Sequence, residues 1–82
     1  MKIEEILSQV MTEISRAEEK HPNWPTDLVR GALIVCEESG ELAQAVNNYD
    51  AVPGGTKHQM ILEAVQTAVS AIRFLKNLQE NE

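Results

Sequence analysis

ALIVCEESGELAQAV, residues 32–46, has the composition of a buried helix except at its centre. Mostly aliphatic residues flank three glutamates there, Glu37, Glu38 and Glu41. Residues 31–56 contain no lysine or arginine that could pair with these carboxylates. Glutamates three or four positions apart are neighbours on a helix, and each like-charged pair costs about 0.2–0.5 kcal/mol. The stretch therefore predicts a helix whose carboxylates need either solvent or a cation.

Apolar residues recur at helical spacing in three segments, and no segment alternates as a half-buried strand does. We predict helices over residues 2–20, from 26 or 27 to 48, and over 57–79. Pro53-Gly54-Gly55 marks the loop before the third helix. The chain of 82 residues is therefore expected to form one all-α domain over residues 1–82.

Proline and capping residues set the ends of these helices. HPNWP, residues 21–25, stops the first helix, because its two prolines cannot continue it. Thr26 or Asp27 can cap the second helix. Thr56 with Gln59 three positions later resembles a capping box for the third.

The third helix carries apolar residues around most of its circumference. Its main stripe comprises Ile61, Val65, Ala68, Ile72 and Leu75. Further apolar residues lie outside that stripe, namely Met60, Leu62, Val69, Phe74 and Leu78. So much apolar surface on a short chain favours pairing with another copy. We expect a bundle of three helices that is completed by oligomerisation, as a homodimer or homotetramer.

Composition excludes several classes of protein. Thirteen acidic residues against seven Lys and Arg give a net charge of −6, which argues against binding a nucleic-acid polymer. A metal-bridged anionic substrate remains compatible with that charge. We expect no membrane association and a cytoplasmic location, since the sequence shows neither a signal peptide nor a run of about 20 apolar residues. The single cysteine, Cys36, is predicted to be a small core residue.

The third helix also carries a polar stripe. Its members follow one another at spacings of four, three, four and three residues: Gln59, Glu63, Gln66, Ser70 and Arg73. If the second and third helices pack antiparallel, Glu63 faces Glu38 and Glu41. Carboxylate oxygens in such a group suit Mg²⁺. The alternative is an ordinary solvated acidic face, and composition alone leaves both open.

Two motifs resemble a known family. Glu37-Glu38-Ser39-Gly40-Glu41-Leu42, followed by Glu63-Ala64-Val65-Gln66, resembles the EExxE and ExxD motifs of MazG-like nucleotide pyrophosphohydrolases. These all-α proteins are related to the dimeric dUTPases, and the similarity is to short phage or prophage members. It covers roughly residues 24–75.

The resemblance implies hydrolysis of a nucleoside triphosphate to a monophosphate and pyrophosphate, with Mg²⁺ or alternatively Mn²⁺. Glu38, Glu41 and Glu63 match the metal ligands of the family. Glu37 and Glu38 match its catalytic glutamates, and Glu37 is a ligand, a group beside the ligands or the residue that orients water. Phosphoryl chemistry is mostly positioning and charge neutralisation, which fits these roles.

The chain departs from the family at Gln66, where the ExxD motif has its aspartate. An amide oxygen can still contact a metal or a substrate, but it brings no charge and cannot act as a base. Two functions therefore stay open: an enzyme, weak or vigorous, and a non-catalytic module that binds a nucleotide or a protein. An unrelated helical interaction protein is the third alternative.

Three further residues are candidates for substrate binding. Trp24, the only tryptophan, either stacks on a nucleobase or plugs a helix corner. Lys20 and Arg73 either contact phosphates or are solvated surface charges.

Overall fold

A computed structural model describes residues 1–51 and 56–80 of the chain. It contains three helices, α1 (Ile3–Lys20), α2 (Leu28–Ala51) and α3 (Lys57–Glu80), and the described ranges contain no strand. The all-α prediction is therefore confirmed. The predicted loop at residues 53–55 lies outside the described residues. None of the helices described has an apolar stretch long enough to cross a membrane.

Side-chain caps fix the starts of α2 and α3. Asp27 Oδ1 accepts hydrogen bonds from the backbone N–H of Val29 at 2.9 Å and of Arg30 at 3.4 Å. Asp27 is thus the cap of α2. Thr56 Oγ1 accepts a hydrogen bond of 3.2 Å from the Gln59 N–H, which is one half of the predicted capping box.

The helix α3 lies in the middle of the molecule and packs against both α1 and α2. The backbones of α1 and α2 do not approach each other in the part of the chain described. The core joins Val10 of α1 to Val65 and Val69 of α3. Ile6, Ile14, Ala17 and Ala68 pack against it. On α2, Gly31 and Ala45 are the buried residues.

Only part of the apolar stripe predicted for α3 is buried, because Val65 and Ala68 belong to the core region while the rest of the stripe is exposed. Val69, which was predicted outside that stripe, is only 2% exposed, whereas Ile72 and Leu75 within it are 42% and 52% exposed. Because α3 has neighbours on two sides, its buried surface is rotated from the stripe with the most apolar residues. The burial predicted for Cys36 is also wrong, since this residue is exposed. It lies on the side of α2 opposite Glu38, and α2 has only α3 to pack against.

Trp24 fills the corner between the 21–25 segment and the helices. A Cβ atom placed on Gly31 would lie 3.0 Å from Trp24 Nε1 and 3.1 Å from Phe74 Cδ2. Gly31 therefore permits a closer approach of both rings to α2 than any other residue would. These contacts support the interpretation of Trp24 as a helix-corner plug, and they do not test stacking on a base.

The two helical glycines provide a matched pair for mutation. Gly40, at the middle of α2, has no described atom within 4 Å of its ideal Cβ apart from its chain neighbours and the backbone of its own helix. Gly40→Ala should raise the free energy of unfolding by about 0.5–1 kcal/mol, because alanine is the better helix former. Gly31→Ala should gain clearly less, because Trp24 and Phe74 must shift to admit the methyl group. Urea denaturation of both variants measures the difference, and equal gains would contradict the tight corner.

Candidate metal centre and adjoining cleft

Three carboxylates converge where α2 packs on α3. Glu38 and Glu41 project from α2 and Glu63 from α3, and one oxygen from each lies within 4.8 Å of the other two. Glu38 and Glu41 are three residues apart and therefore lie on one face of α2. The packing of α3 against that face brings Glu63 beside them. The structure thus brings together the three residues that were predicted as metal ligands.

Burial and mutual repulsion disfavour the charged forms of two of these groups. Partial burial raises the pKa of Glu38 above its ordinary value, and the neighbouring charges of Glu41 and Glu63 raise it further. Burial also raises the pKa of Glu63, with Glu41 as its second cause. A bound cation would relieve the repulsion among these groups.

The donor set fits a hard divalent cation. Mg²⁺ prefers carboxylate oxygens, keeps several waters and needs few protein ligands, and three carboxylates supply oxygens of that kind. A cavity of about 290 Å³ adjoins Glu41 and Glu63. Its other lining residues include the amide side chains of Gln44, Asn48 and Gln59. The residues present therefore suit Mg²⁺ together with its waters.

Glu37 does not belong to this group of three. It is exposed on α2, and its carboxylate contributes to the raised pKa of Glu38 as the last of several causes. Its predicted part in catalysis is neither supported nor contradicted by this position.

A cleft opens between α1 and α2, with α3 as its floor. Its volume is about 360 Å³, and it extends from Glu38 to the Trp24 corner. Polar side chains on its wall include Gln66, Ser70, Arg73 and His21. A wider cavity of about 640 Å³ also adjoins Glu38 and Gln66, and Lys20 and Arg16 line it on the α1 side. Glu38 is therefore shared by the carboxylate cluster and the cleft.

Arg73 is held inside the molecule and is not a solvated surface charge. The residue is 7% exposed, and its Nη2 donates a hydrogen bond to the His21 carbonyl oxygen. Its guanidinium carbon lies 5.2 Å from the centre of the Trp24 ring, within cation–π range. Arg73 Nε is buried without a hydrogen-bond partner among the described residues. Two of the three predicted substrate contacts, Trp24 and Arg73, thus contact each other and line the same cleft.

Gln66 has a hydrogen-bond partner on α1 that was not predicted from the sequence. Its Nε2 donates a hydrogen bond of 2.9 Å to Glu13 Oε2 on α1. The spacing of Val10, Glu13 and Ala17 places Glu13 beside the face of α1 that packs on α3, and this was the signal available in the sequence.

No protein-family model matches the chain, and no curated protein or solved structure matches it either. The MazG-like resemblance therefore stays a prediction that rests on two short motifs. The glutamates of the two motifs converge in the structure.

Proposed function

We propose that this chain is a MazG-like nucleotide pyrophosphohydrolase, which hydrolyses a nucleoside triphosphate or deoxynucleoside triphosphate to a monophosphate and pyrophosphate. One observation carries the proposal: Glu38 and Glu41 of the first motif meet Glu63 of the second.

The residues divide into those that hold the cation and those that act on water. Glu38, Glu41 and Glu63 would hold Mg²⁺, or alternatively Mn²⁺, and the cation would neutralise the triphosphate and polarise its oxygens. Water would attack the α-phosphorus, and the bond from that phosphorus to the bridging oxygen of the β-phosphate would break. Glu37, together with Glu38, is proposed to orient this water, and a carboxylate would take its proton.

The cleft offers contacts for the rest of the nucleotide. Arg73 Nε is a buried donor without a partner among the described residues, so a substrate oxygen that accepts a hydrogen bond from it would satisfy this buried group. Lys20 is exposed on the wall of the wider cavity, where an ammonium group would attract phosphates. Trp24 already has Arg73 near its ring, so its proposed role is to hold Arg73 and to bound the cleft.

A substrate screen tests the proposed function. The chain is incubated with each of the ribo- and deoxyribonucleoside triphosphates and Mg²⁺, and monophosphate and pyrophosphate are measured. We expect the two products in equal amounts for at least one substrate and no turnover after chelation of the metal. Release of orthophosphate in place of pyrophosphate, or no turnover with any triphosphate, would contradict the proposal.

Gln66 favours a second candidate function, a non-catalytic module that binds a nucleotide or a protein. The position lacks the family carboxylate, and its amide is bonded to Glu13. Such a module would be stabilised by a nucleotide with Mg²⁺, since a ligand of the folded state alone raises the melting temperature. Stabilisation without release of pyrophosphate distinguishes the module from the enzyme.

Gln66→Asp should tighten cation binding in the absence of nucleotide. The added carboxylate raises the ligand charge, on which cation affinity depends. Loss of the hydrogen bond to Glu13 and repulsion from its carboxylate offset part of this effect, so we expect a net gain of up to about tenfold. If Gln66 limits catalysis, pyrophosphate release rises too. Mn²⁺ titration measures the affinity, and Gln9→Asp on the exposed side of α1 is the control. An affinity and turnover equal to those of the wild type would place position 66 outside the site.

We propose that a homodimer or homotetramer forms through the α1 and α3 surfaces that face away from the cleft. Leu7 and Met11 of α1 are 57% and 65% exposed, and helix geometry places them across the packed row from Glu13. On α3, Ile72 and Leu75 remain exposed as well. These side chains would be buried if this surface packed against the same surface of a second copy.

Light scattering at micromolar concentration should show a mass of at least twice the 9.1 kDa of one chain. Ile72→Glu should lower that mass, because it places a charge in the proposed contact. Leu33→Glu makes the same kind of change on α2, where Leu33 is 53% exposed, and should leave the mass unchanged. A monomeric wild type would contradict the proposed assembly.

A further inference from the structure

Glu13 joins α1 to the side of α3 that carries Gln66. Its Oε2 accepts the hydrogen bond from Gln66 Nε2, and its Oε1 lies 2.8 Å from Arg16 Nη1. Only 21% of the Glu13 side chain is exposed. Both carboxylate oxygens are thus engaged, and an ionised carboxylate can only accept hydrogen bonds.

This hydrogen bond decides which end of the Gln66 amide points away from α1. A glutamine amide has an NH₂ donor and an oxygen acceptor on the same carbon. With Nε2 on Glu13, Oε1 is directed elsewhere, and Gln66 lines the same two cavities as Glu38. The reversed amide would set its oxygen against the Glu13 carboxylate and turn its NH₂ protons away from α1.

We propose that Glu13 is a positioning residue, which orients the Gln66 amide so that its oxygen faces the cation held by Glu38, Glu41 and Glu63. The inference rests on the proposed function, because it requires those carboxylates to hold a cation. It gives a physical reason for a neutral side chain at this position. The negative charge is that of Glu13 on α1, where Arg16 balances it. The neutral oxygen of the Gln66 amide is left for the cation.

Binding of Mn²⁺ alone, without nucleotide, tests the proposal, with the electron paramagnetic resonance signal of the free ion as the readout. In Glu13→Gln the new amide can donate as well as accept, so Gln66 is no longer held in one orientation. We expect Mn²⁺ to bind about tenfold more weakly, at the lower end of the range for residues that orient metal ligands. Glu18→Gln is the matched control and should change the affinity less than twofold. Glu18 also joins α1 to α3, through a 2.7 Å ion pair with Lys76.

A double-mutant cycle separates positioning from a general structural effect. Gln66→Met removes the amide and keeps the length of the side chain. If Glu13 acts through Gln66, then Glu13→Gln costs less than twofold in the Gln66→Met background. A tenfold loss that persists there would overturn the proposal, as would a Glu13→Gln variant that binds Mn²⁺ as the wild type does. A wild type that binds no Mn²⁺ at millimolar concentration overturns the proposed function itself and this inference with it.

A second measurement needs no substitution at Glu13, should that variant fold poorly. The side-chain signals of Gln66 in nuclear magnetic resonance spectra are assigned by their loss in Gln66→Met. Addition of diamagnetic Mg²⁺ should shift the Gln66 Cδ signal, because the oxygen on that carbon contacts the cation. A protein whose backbone signals respond to Mg²⁺ while the Gln66 Cδ signal stays in place would overturn the proposal and leave the metal site intact.

Discussion

Glu38→Gln is expected to reduce pyrophosphate release at least about 100-fold and to remove most of the stabilisation that Mg²⁺ gives the folded chain. Loss of a group that merely orients a metal ligand costs about 10–100-fold, and Glu38 is proposed as a charged ligand, so its loss should cost at least as much. Glu38 is also the carboxylate that the cluster shares with the cleft. Its substitution should therefore weaken both cation binding and turnover.

If the proposed cation binds, its thermal effect is expected to be large for a domain of 82 residues. A ligand that binds only the folded state contributes about 2.7 kcal/mol at a concentration 100 times its dissociation constant. Each kcal/mol raises the melting temperature of such a domain by about 4–8 °C. Saturating Mg²⁺ should therefore raise the melting temperature of the wild type by roughly 10–20 °C and that of Glu38→Gln by only a few degrees.

Without metal, Glu38→Gln is expected to be more stable than the wild type, which is the reverse of the order expected with Mg²⁺. Glutamine at position 38 removes the repulsion with Glu41 and Glu63, so metal-free Glu38→Gln should melt above the metal-free wild type. Asp50→Asn is the control, because it neutralises an exposed carboxylate on the same helix outside the cluster. It should leave the Mg²⁺ effect unchanged. If millimolar Mg²⁺ leaves the melting temperature of the wild type unchanged, the proposed metal site is wrong and the cluster is a solvated acidic face.

The raised pKa values of Glu38 and Glu63 give a further test, in the pH dependence of stability. A carboxyl group whose pKa is raised in the folded state binds its proton more tightly when folded, so protonation stabilises the fold. This contribution is complete below the ordinary pKa of a glutamate and is lost as the pH rises through the raised pKa. Glu38→Gln should flatten that decline. Mg²⁺ affinity should change in the opposite direction, rising with pH as the protons leave.

The three helices could be predicted because their signals are local. Asp27 caps α2 and Thr56 caps α3 through bonds to backbone N–H groups two or three residues away, so the capping residues alone were informative. The meeting of Glu63 with Glu38 and Glu41 could be predicted for the same kind of reason. Helical periodicity places each glutamate on a face, and one packing step brings the two faces together.

Two features depended on how many neighbours each helix has, and the sequence does not state this. Val69 is deeply buried because α3 lies between two helices, whereas Cys36 is exposed because α2 packs against one. Glu13 meets Gln66 across 53 residues of sequence, so no local pattern could pair them. The position of Arg73 was predicted on the polar stripe of α3, but its enclosure by Trp24 and the His21 carbonyl follows from the fold of residues 21–25.

Arg73→Met is expected to lower the free energy of unfolding by about 2–3 kcal/mol. A hydrogen bond from a charged donor contributes about 1.5–3 kcal/mol, and a cation–π contact with a tryptophan about 0.5–2 kcal/mol. Release from the cost of burying the guanidinium offsets part of that loss. Methionine keeps much of the aliphatic volume, so the experiment removes the charge and the donors and leaves no large cavity. Urea denaturation followed by circular dichroism measures the change.

Trp24 makes the same experiment local, because it is the only tryptophan and its fluorescence therefore reports on the corner that contains the Arg73 contact. Arg73→Met should change the emission of Trp24 in the folded state, since the cation beside the ring is gone. Arg30→Met removes an exposed arginine from α2 and should change stability by less than about 0.5 kcal/mol, with unaltered emission. Suppose instead that Arg73→Met leaves stability and emission unchanged and weakens only nucleotide binding. The 21–25 segment would then be held in place without Arg73, and the arginine would serve the substrate as a phosphate contact. If both stability and nucleotide binding fall, Arg73 joins the two functions: it holds the corner that bounds the cleft, and it lines the cleft itself.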